Sequence, residues 1–540
     1  MSQWRSRAFY LTRNRTFLLR VTGGIVGVCT LIAVAILVLY GKEWPRPKME
    51  TPSEEQIIQT IRLIREEEYQ LLKKSPAKDP ERVMKWLMDL EREDGKSLDP
   101  VTLKYGDLDL EGLFRQHAQD ERLQKALASY ARFTLQADDA VRRAALAELA
   151  ELSLRKDPPR HANELYAGLL SQLQRPVEVL DAWMREGRFE EATTARRSAF
   201  ELALQLKNPQ ALRELCGNES LRRDMDALAL RDAAIIIPDR KLLMYAMARM
   251  TWERWMQGGT LFIALLAAGI WYGILVYTGS REPHRWLRYL PAVFAGIVSV
   301  IALTWAQVTL DYRMPDEGGP APTPTHAMMD WILNVGLPEE FVKMLLFSFF
   351  LPVLLHRGSG VKAALTGGCV GLGFALDENL LYFSMKGSEI ALGRFLTANF
   401  LHIALTGILG WGLYELFRSR FHKATEFLIV FVGVTLAHGL YDFVATIGDN
   451  GWGLEIMYIV ILAASAKFYL KLLHSASAMP AGWVFSRTSI FLWGIALLVG
   501  VLVIAATWEL RSIQGITETL RAALSVAVVG FIFIREFQEV

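Results

Sequence analysis

Cysteine and net charge are what this chain has least of. Its 540 residues include three cysteines, of which Cys29 and Cys369 lie in apolar runs and Cys216 lies in a polar region. Cysteines so few and so scattered exclude a disulfide framework and a cysteine-rich metal site. The formal net charge is +2, so bulk charge implies no nucleic-acid partner, and the basic residues matter through their placement.

Two widespread catalytic signatures are also missing. The chain has no His-Glu-x-x-His motif of the kind that binds zinc in metalloproteases, and its apolar runs contain no Gly-x-Ser-x-Gly elbow. Any hydrolytic chemistry inside the apolar part of the chain would therefore have to use another set of groups.

Hydrophobic residues are abundant, at 52% of the chain, which is typical of a membrane protein, and the length is too great for one domain. The first apolar run, Val21 to Tyr40, follows five arginines and is long enough to span a bilayer. A signal peptide would have a shorter apolar region and a small-x-small cleavage site. We interpret the run as an uncleaved anchor whose N-terminus is cytosolic.

Nine further apolar runs follow Gly258, and with the anchor they predict ten transmembrane helices. The predicted fold class is all-α: a polytopic membrane protein with an inserted helical extracytoplasmic domain. The predicted spans lie near Thr260–Thr278, Pro291–Leu310, Trp331–Leu355, Val361–Phe383, Phe395–Phe417, Phe427–Ile447, Leu454–Leu473, Ser489–Thr507 and Ile516–Ile534.

The region between the anchor and the second span is polar and rich in Glu, Arg, Leu and Ala, as in a helical soluble domain. One helix is predicted to begin at Thr51-Pro52-Ser53. The segment 180–192, with Gly187 at its turn, resembles a tetratricopeptide-type hairpin, but no clean period repeats, so a hairpin array and an irregular bundle both stay open. We predict four parts: a cytosolic tail and anchor (1–41), this domain (42–255), a membrane core (256–475) and C-terminal transmembrane helices (476–540).

Lysine and arginine cluster in alternate loops, as the positive-inside rule requires of short cytosolic loops. This predicts that both termini are cytosolic and that the soluble domain is extracytoplasmic. The basic loops carry Arg281, Arg285 and Arg288, then Arg357 and Lys362, then Arg418, Arg420 and Lys423, and later Arg487 and Arg535. The opposite side carries Asp311, Asp316 and Glu317, the mixed loop charges Lys386, Glu389 and Arg394, and Asp449.

Four consecutive predicted spans carry polar groups that lipid would not tolerate without partners or a water-filled cavity. Counted inward from the extracytoplasmic end of each span at about 1.5 Å per residue, Glu378, His402, Glu339 and His438 all lie in the same outer half of the membrane. Unrelated packing residues would have been scattered over both leaflets. The set comprises Glu339, Glu340 and Lys343, then Asp377, Glu378 and Asn379, then His402 and Thr406, and finally His438 and Asp442. The i,i+4 spacing predicts that Glu339 faces Lys343, that His402 faces Thr406 and that His438 faces Asp442.

This inventory suits the activation of water. A buried carboxylate beside a like charge can act as a general base, and a second acid or a histidine can stabilise an oxyanion and protonate a leaving amine. Zinc is an alternative, because His402, His438 and one glutamate would supply three ligands. The packing alternative is a buried Glu339–Lys343 salt bridge, which would leave Glu340 without a partner. The run Gly336-Leu337-Pro338 also predicts a helix restart in this span.

Glu339-Glu340-Phe341-Val342-Lys343 resembles an EExxK motif, and Phe374 precedes Glu378-Asn379 as in an FxxxEN motif. With His402 and His438 in the next two helices, the pattern is similar to the PrsW family of glutamic-type intramembrane proteases, which is grouped with the CAAX endopeptidases and the APH subunit of gamma-secretase. The resemblance covers roughly residues 260–475.

The resemblance implies that Glu339, Glu340, Glu378, His402 and His438 are catalytic, with Glu340 preferred as the general base. The set predicts supporting roles for Lys343, Asn379, Asp442 and Thr406. It implies hydrolysis of membrane-anchored proteins, such as anti-sigma-factor-like substrates, near the outer leaflet of the bilayer. No cofactor is expected, with zinc as the alternative.

We expect the soluble domain to recruit or screen those substrates. The competing hypotheses are a non-catalytic membrane scaffold or sensor with a degenerate protease core, and a transporter that uses the carboxylates as a proton relay. A transporter predicts an inverted repeat, and the two halves share no matching motif.

Overall fold

The computed structural model describes residues 3–40, 54–76, 78–90, 92, 98–279, 286–309, 323–447, 452–474 and 485–537. In these ranges the chain is helical apart from one small antiparallel pair of strands, β1 (Lys104–Tyr105) and β2 (Leu108–Asp109). The predicted all-α membrane class is therefore confirmed. The chain begins with α1 (Gln3–Leu11) and α2 (Arg15–Tyr40), the second of which contains the predicted anchor.

Two compact units can be distinguished, one within Pro45–Arg249 and one formed by Met1–Trp44 and Met250–Val540. The helices between the anchor and the next span are α3 (Glu54–Lys74), α4 (Pro80–Met88), α5 (Leu110–His117), α6 (Glu121–Leu135), α7 (Asp139–Leu154), α8 (Ala162–Gln172), α9 (Pro176–Glu186), α10 (Thr193–Gln205), α11 (Pro209–Cys216), α12 (Glu219–Asp224), α13 (Ala227–Ile236) and α14 (Arg240–Met256).

Aspartate and asparagine set where many of these short helices start, because their side chains accept the otherwise unpaired N–H groups of the first turn. Asp79, Asp109, Asp120 and Asn208 do so for α4, α5, α6 and α11. α9 ends at Glu186 immediately before Gly187, and α10 follows. The hairpin is where the sequence predicts it, and the tetratricopeptide-like array stays a prediction.

The helices after α14 are α15 (Gly258–Gly279), α16 (Leu290–Thr309), α17 (Pro324–Asp330), α18 (Leu337–Ser348), α19 (Leu351–Arg357), α20 (Gly360–Lys386), α21 (Ala391–Leu396), α22 (Ala398–Arg418), α23 (Ala424–Ile447), α24 (Trp452–His474), α25 (Arg487–Leu510), α26 (Gln514–Ser525) and α27 (Ala527–Glu536). Short 3-10 turns at Trp286–Tyr289 and Ser388–Ile390 precede α16 and α21, and a π-helical turn, Trp331–Gly336, precedes α18.

Within the described residues, seven helical segments are long and apolar enough to cross a membrane, or eight if α26 and α27, bent by 52°, form one span. The predicted spans 331–355 and 361–383 are helical but do not pass that test of length and composition, so the count of ten stays a prediction. The seven are Arg15–Tyr40, Gly258–Tyr277, Trp286–Gln307, Ala391–Arg418, Ala424–Thr446, Ile456–Leu473 and Arg487–Leu510.

Several residues used in the sequence predictions lie outside the described ranges. They include the proposed cap of α3 and part of the loop charges on which the membrane orientation depends: Thr51, Pro52, Ser53, Arg281, Arg285, Asp311, Asp316, Glu317 and Asp449.

The predicted helix restart at Pro338 is a wide turn rather than a break. Gly336 and Leu337 keep helical backbone angles of −56°, −46° and −65°, −53°. A proline has no N–H to donate, and its ring crowds the carbonyl four residues earlier. A π-helical turn accommodates both effects without interrupting the helix. The true interruption of the predicted span comes later, between Ser348 and Leu351, where α18 gives way to α19.

Glycine allows α20 and α22 to pack with their backbones close together. A Cβ atom built on Gly371 would lie 2.1 Å from the carbonyl oxygen of His402, and one on Gly367 would lie 2.5 Å from that of Thr406. Because no larger residue fits at this separation, the glycines determine how near the α22 side chains come to those of α20.

Candidate active site

The structure brings the polar side chains of four predicted spans into one buried cluster, which we call the carboxylate–histidine cluster. Pro338 starts the turn of α18 that carries the two adjacent glutamates, and the other members come from α20, α22 and α23. The cluster contains Glu339, Glu340, Lys343, Glu378, Asn379, His402, Thr406, His438 and Asp442.

Glu340 is fully enclosed and fully engaged. Its Oε1 lies 2.6 Å from Lys343 Nζ and 2.8 Å from His438 Nδ1, and its Oε2 accepts a 3.4 Å hydrogen bond from the Thr406 hydroxyl. A Glu339–Lys343 salt bridge was expected to leave Glu340 without a partner, and that expectation is wrong. Lys343 Nζ lies near both carboxylates, at 2.6 Å from Glu340 and 3.6 Å from Glu339.

Glu339 is the accessible carboxylate of the pair. Its side chain is 14% exposed, and its Oε2 lies 3.6 Å from Lys343 Nζ and 3.4 Å from His438 Nε2. Within the described part of the chain, Oε2 accepts no hydrogen bond although it is buried. Burying an acceptor without a hydrogen-bond donor lowers the folding stability of a protein, unless a water molecule or an ion binds that acceptor.

His402 links the two carboxylate-bearing helices. Its Nδ1 lies 3.2 Å from Lys343 Nζ and its Nε2 lies 2.7 Å from Glu378 Oε2. A lysine ammonium can only donate, so Nδ1 is assigned as the acceptor and Nε2–H as the donor to Glu378. The ring orientation is thereby fixed from both sides.

His438 is surrounded by carboxylates from three positions. Its Nδ1 faces Glu340, and its Nε2 lies 3.2 Å from Asp442 Oδ2 and 3.4 Å from Glu339 Oε2. The Asp442 contact is the i,i+4 pair predicted from the sequence. The rings of His438 and His402 are 5.0 Å apart and nearly perpendicular.

Arg394 belongs to the cluster, and the sequence analysis missed it. Its Nη2 donates to Glu378 Oε2 at 2.8 Å and its Nε donates to Asn379 Oδ1 at 2.7 Å, while the Asn379 amide donates to Asn399. The sequence analysis treated Arg394 as a loop charge. A basic residue in a short connection between two polar spans was the signal that could have identified it.

A second contact that the sequence did not reveal lies next to Glu378. Asp377 is buried and accepts a 2.7 Å hydrogen bond from the indole Nε1 of Trp255, and Arg254 Nη1 is 4.0 Å away. Trp255 and Arg254 both lie in the last turn of α14. Trp255 precedes Asp377 by 122 residues in the sequence. No local pattern links the two positions.

The cluster also has a donor set suited to a metal ion. Glu339, His402 and His438 each offer one ligand atom, and these atoms lie within 4.8 Å of one another. The unbonded Glu339 Oε2 is the type of acceptor that a cation would satisfy, and two imidazoles with one carboxylate form a known zinc set. These three residues therefore fit zinc, with Lys343 Nζ beside the same carboxylate oxygen.

Comparison with known proteins adds an independent line of evidence. Residues 282–467 match the family described as "PrsW family intramembrane metalloprotease". This segment includes all nine members of the carboxylate–histidine cluster and Arg394. No solved structure matches the chain.

Three curated relatives, each named Protease PrsW, are similar to part of the chain. The protein of Bacillus subtilis (strain 168) is 27% identical over 208 residues, covering 37% of this chain and 90% of that protein. The protein of Geobacillus kaustophilus (strain HTA426) is 27% identical over 196 residues, covering 35% and 83%. That of Shouchella clausii (strain KSM-K16) is 30% identical over 150 residues, covering 27% and 68%. This chain therefore belongs to the PrsW family of intramembrane proteases.

Proposed function

We propose that the carboxylate–histidine cluster is the active site and that Glu339 is the general base. A base must reach both a water molecule and a substrate. Glu340 has no exposed surface and three partners. The Glu339 side chain is 14% exposed, and its buried Oε2 accepts no hydrogen bond, although it lies 3.4 Å from His438 and 3.6 Å from Lys343. The free Glu339 Oε2 is the observation that carries the proposal, which assigns to Glu339 the part that the sequence analysis preferred for Glu340.

The reaction is hydrolysis of a peptide bond. Glu339 takes a proton from water while the water oxygen bonds to the carbonyl carbon, and the carbonyl oxygen becomes an oxyanion. His438, 3.4 Å from Glu339, lies where an N–H donor can stabilise that charge. Glu339 then returns the proton to the amide nitrogen as the C–N bond breaks. The products are a carboxylic acid and an amine.

The remaining members position these groups. Lys343 and Glu340 neutralise each other and hold His438 through its Nδ1. Glu378 and Arg394 hold His402. Buried polar side chains keep a fixed geometry only when each has a partner, so this network orients the histidines without taking part in bond breaking.

Zinc is the competing cofactor assignment. Glu339, His402 and His438 would hold it, and a bound zinc ion would lower the pKa of its water and polarise the carbonyl. In our proposal the carboxylates act without it. A chain that lacks residues 51–246, treated with a zinc chelator, should keep cleaving a generic single-span reporter. Activity lost on chelation and regained with added zinc would overturn the glutamic-type mechanism.

We further propose that cleavage takes place in the outer half of a bacterial inner membrane, with both termini in the cytosol. Support comes from the alternation of basic loops and from the common depth at which the four site helices carry their polar groups. Cysteine-accessibility labelling of single-cysteine variants in intact cells tests the orientation. Labelling of a cysteine in the soluble domain only after the cells are opened would reverse it.

The soluble domain, on this proposal, recruits or screens membrane-anchored substrates of the anti-sigma-factor type. Arrays of helical hairpins present concave surfaces to peptides. Deletion of residues 51–246 should leave cleavage of a generic single-span reporter intact and abolish cleavage of native substrates, identified by comparing membrane proteins in cells with and without the active chain. Unchanged cleavage of every native substrate would contradict the recruitment role.

The test of the active site is Glu339→Gln, with Glu415→Gln as the control. Glu415 lies on α22, is 19% exposed and pairs at 2.8 Å with Lys423, which is 48% exposed. We expect the first variant to stop cleavage of a single-span reporter and the second to behave as the wild type. Full activity of the Glu339→Gln variant would contradict the proposal that Glu339 is the general base. Inactivity of both the wild type and the variant on all substrates would favour a degenerate scaffold.

A further inference from the structure

A second group of metal-ligating side chains lies in the soluble unit. His161 caps the start of α8, Glu164 lies in the first turn of that helix, and Glu186 is the last residue of α9. One ligand atom from each of the three lies within 4.8 Å of the others. None of the three belongs to the segment that matches the PrsW family, which begins at residue 282.

The contacts within this group are short. His161 Nδ1 lies 3.0 Å from Glu164 Oε2, and the backbone N–H of His161 donates to Glu186 Oε1 at 2.6 Å. Zinc–ligand bonds of about 2.0–2.2 Å place tetrahedral ligand atoms on the order of 3.4 Å apart. The side chains would therefore need only small movements to share one ion.

The group carries buried negative charge without a cation to balance it. Glu186 is 1% exposed, Glu164 is 8% exposed, and within the described part of the chain neither lies within ion-pair distance of a lysine or an arginine. Arg160, which precedes His161, pairs with Glu191, and Arg185, which precedes Glu186, donates to the Asn163 oxygen. Buried carboxylates are retained in proteins when they are paired or when they coordinate a metal.

One oxygen of the group has nothing to bind. Glu186 Oε2 is buried and accepts no hydrogen bond from the described residues. Asn163 is held at its oxygen by Ser153 and Arg185, at 2.8 and 2.9 Å, and its Nδ2 likewise has no hydrogen-bond partner among the described residues. One carboxylate oxygen of Glu186 lies within 4.8 Å of the His161 and Glu164 ligand atoms.

The backbone at His161 is also unusual. Its φ of 71° puts a residue other than glycine in the left-handed region. Such conformations persist where the surroundings hold them in place. Here the conformation directs the His161 N–H at Glu186 while the imidazole lies against Glu164.

We propose that His161, Glu164 and Glu186 form a structural site for a divalent transition metal of the zinc class, which pins the start of α8 to the end of α9. One imidazole with two carboxylates favours zinc or manganese over calcium, which binds oxygen ligands in larger numbers. The site is separate from the carboxylate–histidine cluster, and its role is to fix a helical hairpin rather than to react with substrate.

The test must separate this site from the intramembrane cluster. The full chain is therefore prepared in detergent with Glu339→Gln and His402→Asn, which remove two of the three intramembrane ligands. After metal depletion it is titrated with zinc, and bound zinc is counted by elemental analysis. We expect one zinc per chain, with at least a 100-fold loss of affinity when Glu186→Gln or His161→Asn is added, and no change with the control Glu178→Gln.

Glu178 is a matched control because it lies on the same helix, α9, and pairs with Arg175 in an exposed salt bridge. Loss of fold in the His161→Asn variant would not decide the matter, so X-ray absorption at the zinc edge is measured on the parent protein. One imidazole with oxygen ligands is expected. Two imidazoles, no bound zinc, or zinc retained in folded Glu186→Gln protein would each overturn the proposal.

Discussion

Of the two adjacent glutamates, we expect Glu340 to stabilise the fold and Glu339 to take part in the reaction. Their contacts predict how much each substitution lowers stability and the cleavage rate. Glu340 Oε1 contacts Lys343 Nζ at 2.6 Å and His438 Nδ1 at 2.8 Å in a fully buried environment. Replacing Glu340 by Gln leaves the Lys343 ammonium without its closest anion. Removing one partner of a buried ion pair costs about 3–5 kcal/mol of unfolding free energy.

Glu339→Gln should have the opposite profile. Its Oε2 accepts no hydrogen bond in the described part of the chain, so we expect a loss of less than about 1 kcal/mol in unfolding free energy. The removal of a general base should lower the cleavage rate by roughly 10²–10⁴-fold, which corresponds to about 3–5 kcal/mol in the barrier. Stability and activity are therefore affected in different variants.

The assay measures both quantities on the same preparations. Unfolding is followed by titration of detergent-solubilised protein with SDS, and cleavage is followed on a single-span reporter that the wild type cleaves. A double variant, Glu340→Gln with Lys343→Met, removes the pair together and should recover about 1–3 kcal/mol relative to the sum of the two single changes. Additive single effects, or a Glu339→Gln protein less stable than Glu340→Gln, would refute the assignment.

Three further predictions follow from single contacts. Gly371→Ala should push α22 away from α20, because a Cβ there would lie 2.1 Å from the His402 carbonyl oxygen, and should therefore lower both stability and cleavage. The control Gly433→Ala should change neither, because nothing lies within 4 Å of a Cβ at that position. Unchanged cleavage in Gly371→Ala would contradict the packing argument. Arg394→Lys should reduce cleavage by roughly 10–100-fold with little loss of stability, because a lysine cannot reproduce the two hydrogen bonds to Glu378 and Asn379. Activity equal to that of the wild type would show that His402 keeps its position without these two hydrogen bonds. Burial raises the pKa of Cys216 to about 11. At pH 8 this thiol should therefore resist iodoacetamide in the folded chain and react once urea unfolds it. Rapid labelling under native conditions would show that the helix containing Cys216 opens readily.

The sequence predicted the members of the cluster better than the contacts among them. Hydrophobic runs locate the helices because chain length and apolarity decide what can cross a bilayer. The i,i+4 spacing correctly anticipated the His438–Asp442 contact. Helical spacing could not decide which glutamate holds Lys343, because both lie within reach of it. Their difference follows from His438, 98 residues from Glu340 in the sequence.

Arg394 and Trp255 show the same limit. Arg394 reaches Glu378 from the start of the next helical segment, and Trp255 reaches Asp377 across 122 residues. Neither position carries a local periodic pattern, so composition and spacing gave no reason to pair them with the site. The wide π-helical turn before Pro338 likewise depends on packing, since Gly336 lies against the backbone of Gly439.

By itself the sequence determined the membrane class, the approximate limits of the apolar helices and the residue types available for chemistry, because these depend on composition and on periodicity within one helix. The tertiary structure alone decided that Glu340 is enclosed with Lys343 while Glu339 keeps a free oxygen. The difference between the two carboxylates arises because Thr406 on α22 and His438 on α23 bind Glu340. The free energy that distinguishes two neighbouring carboxylates comes from long-range contacts, which local sequence does not encode.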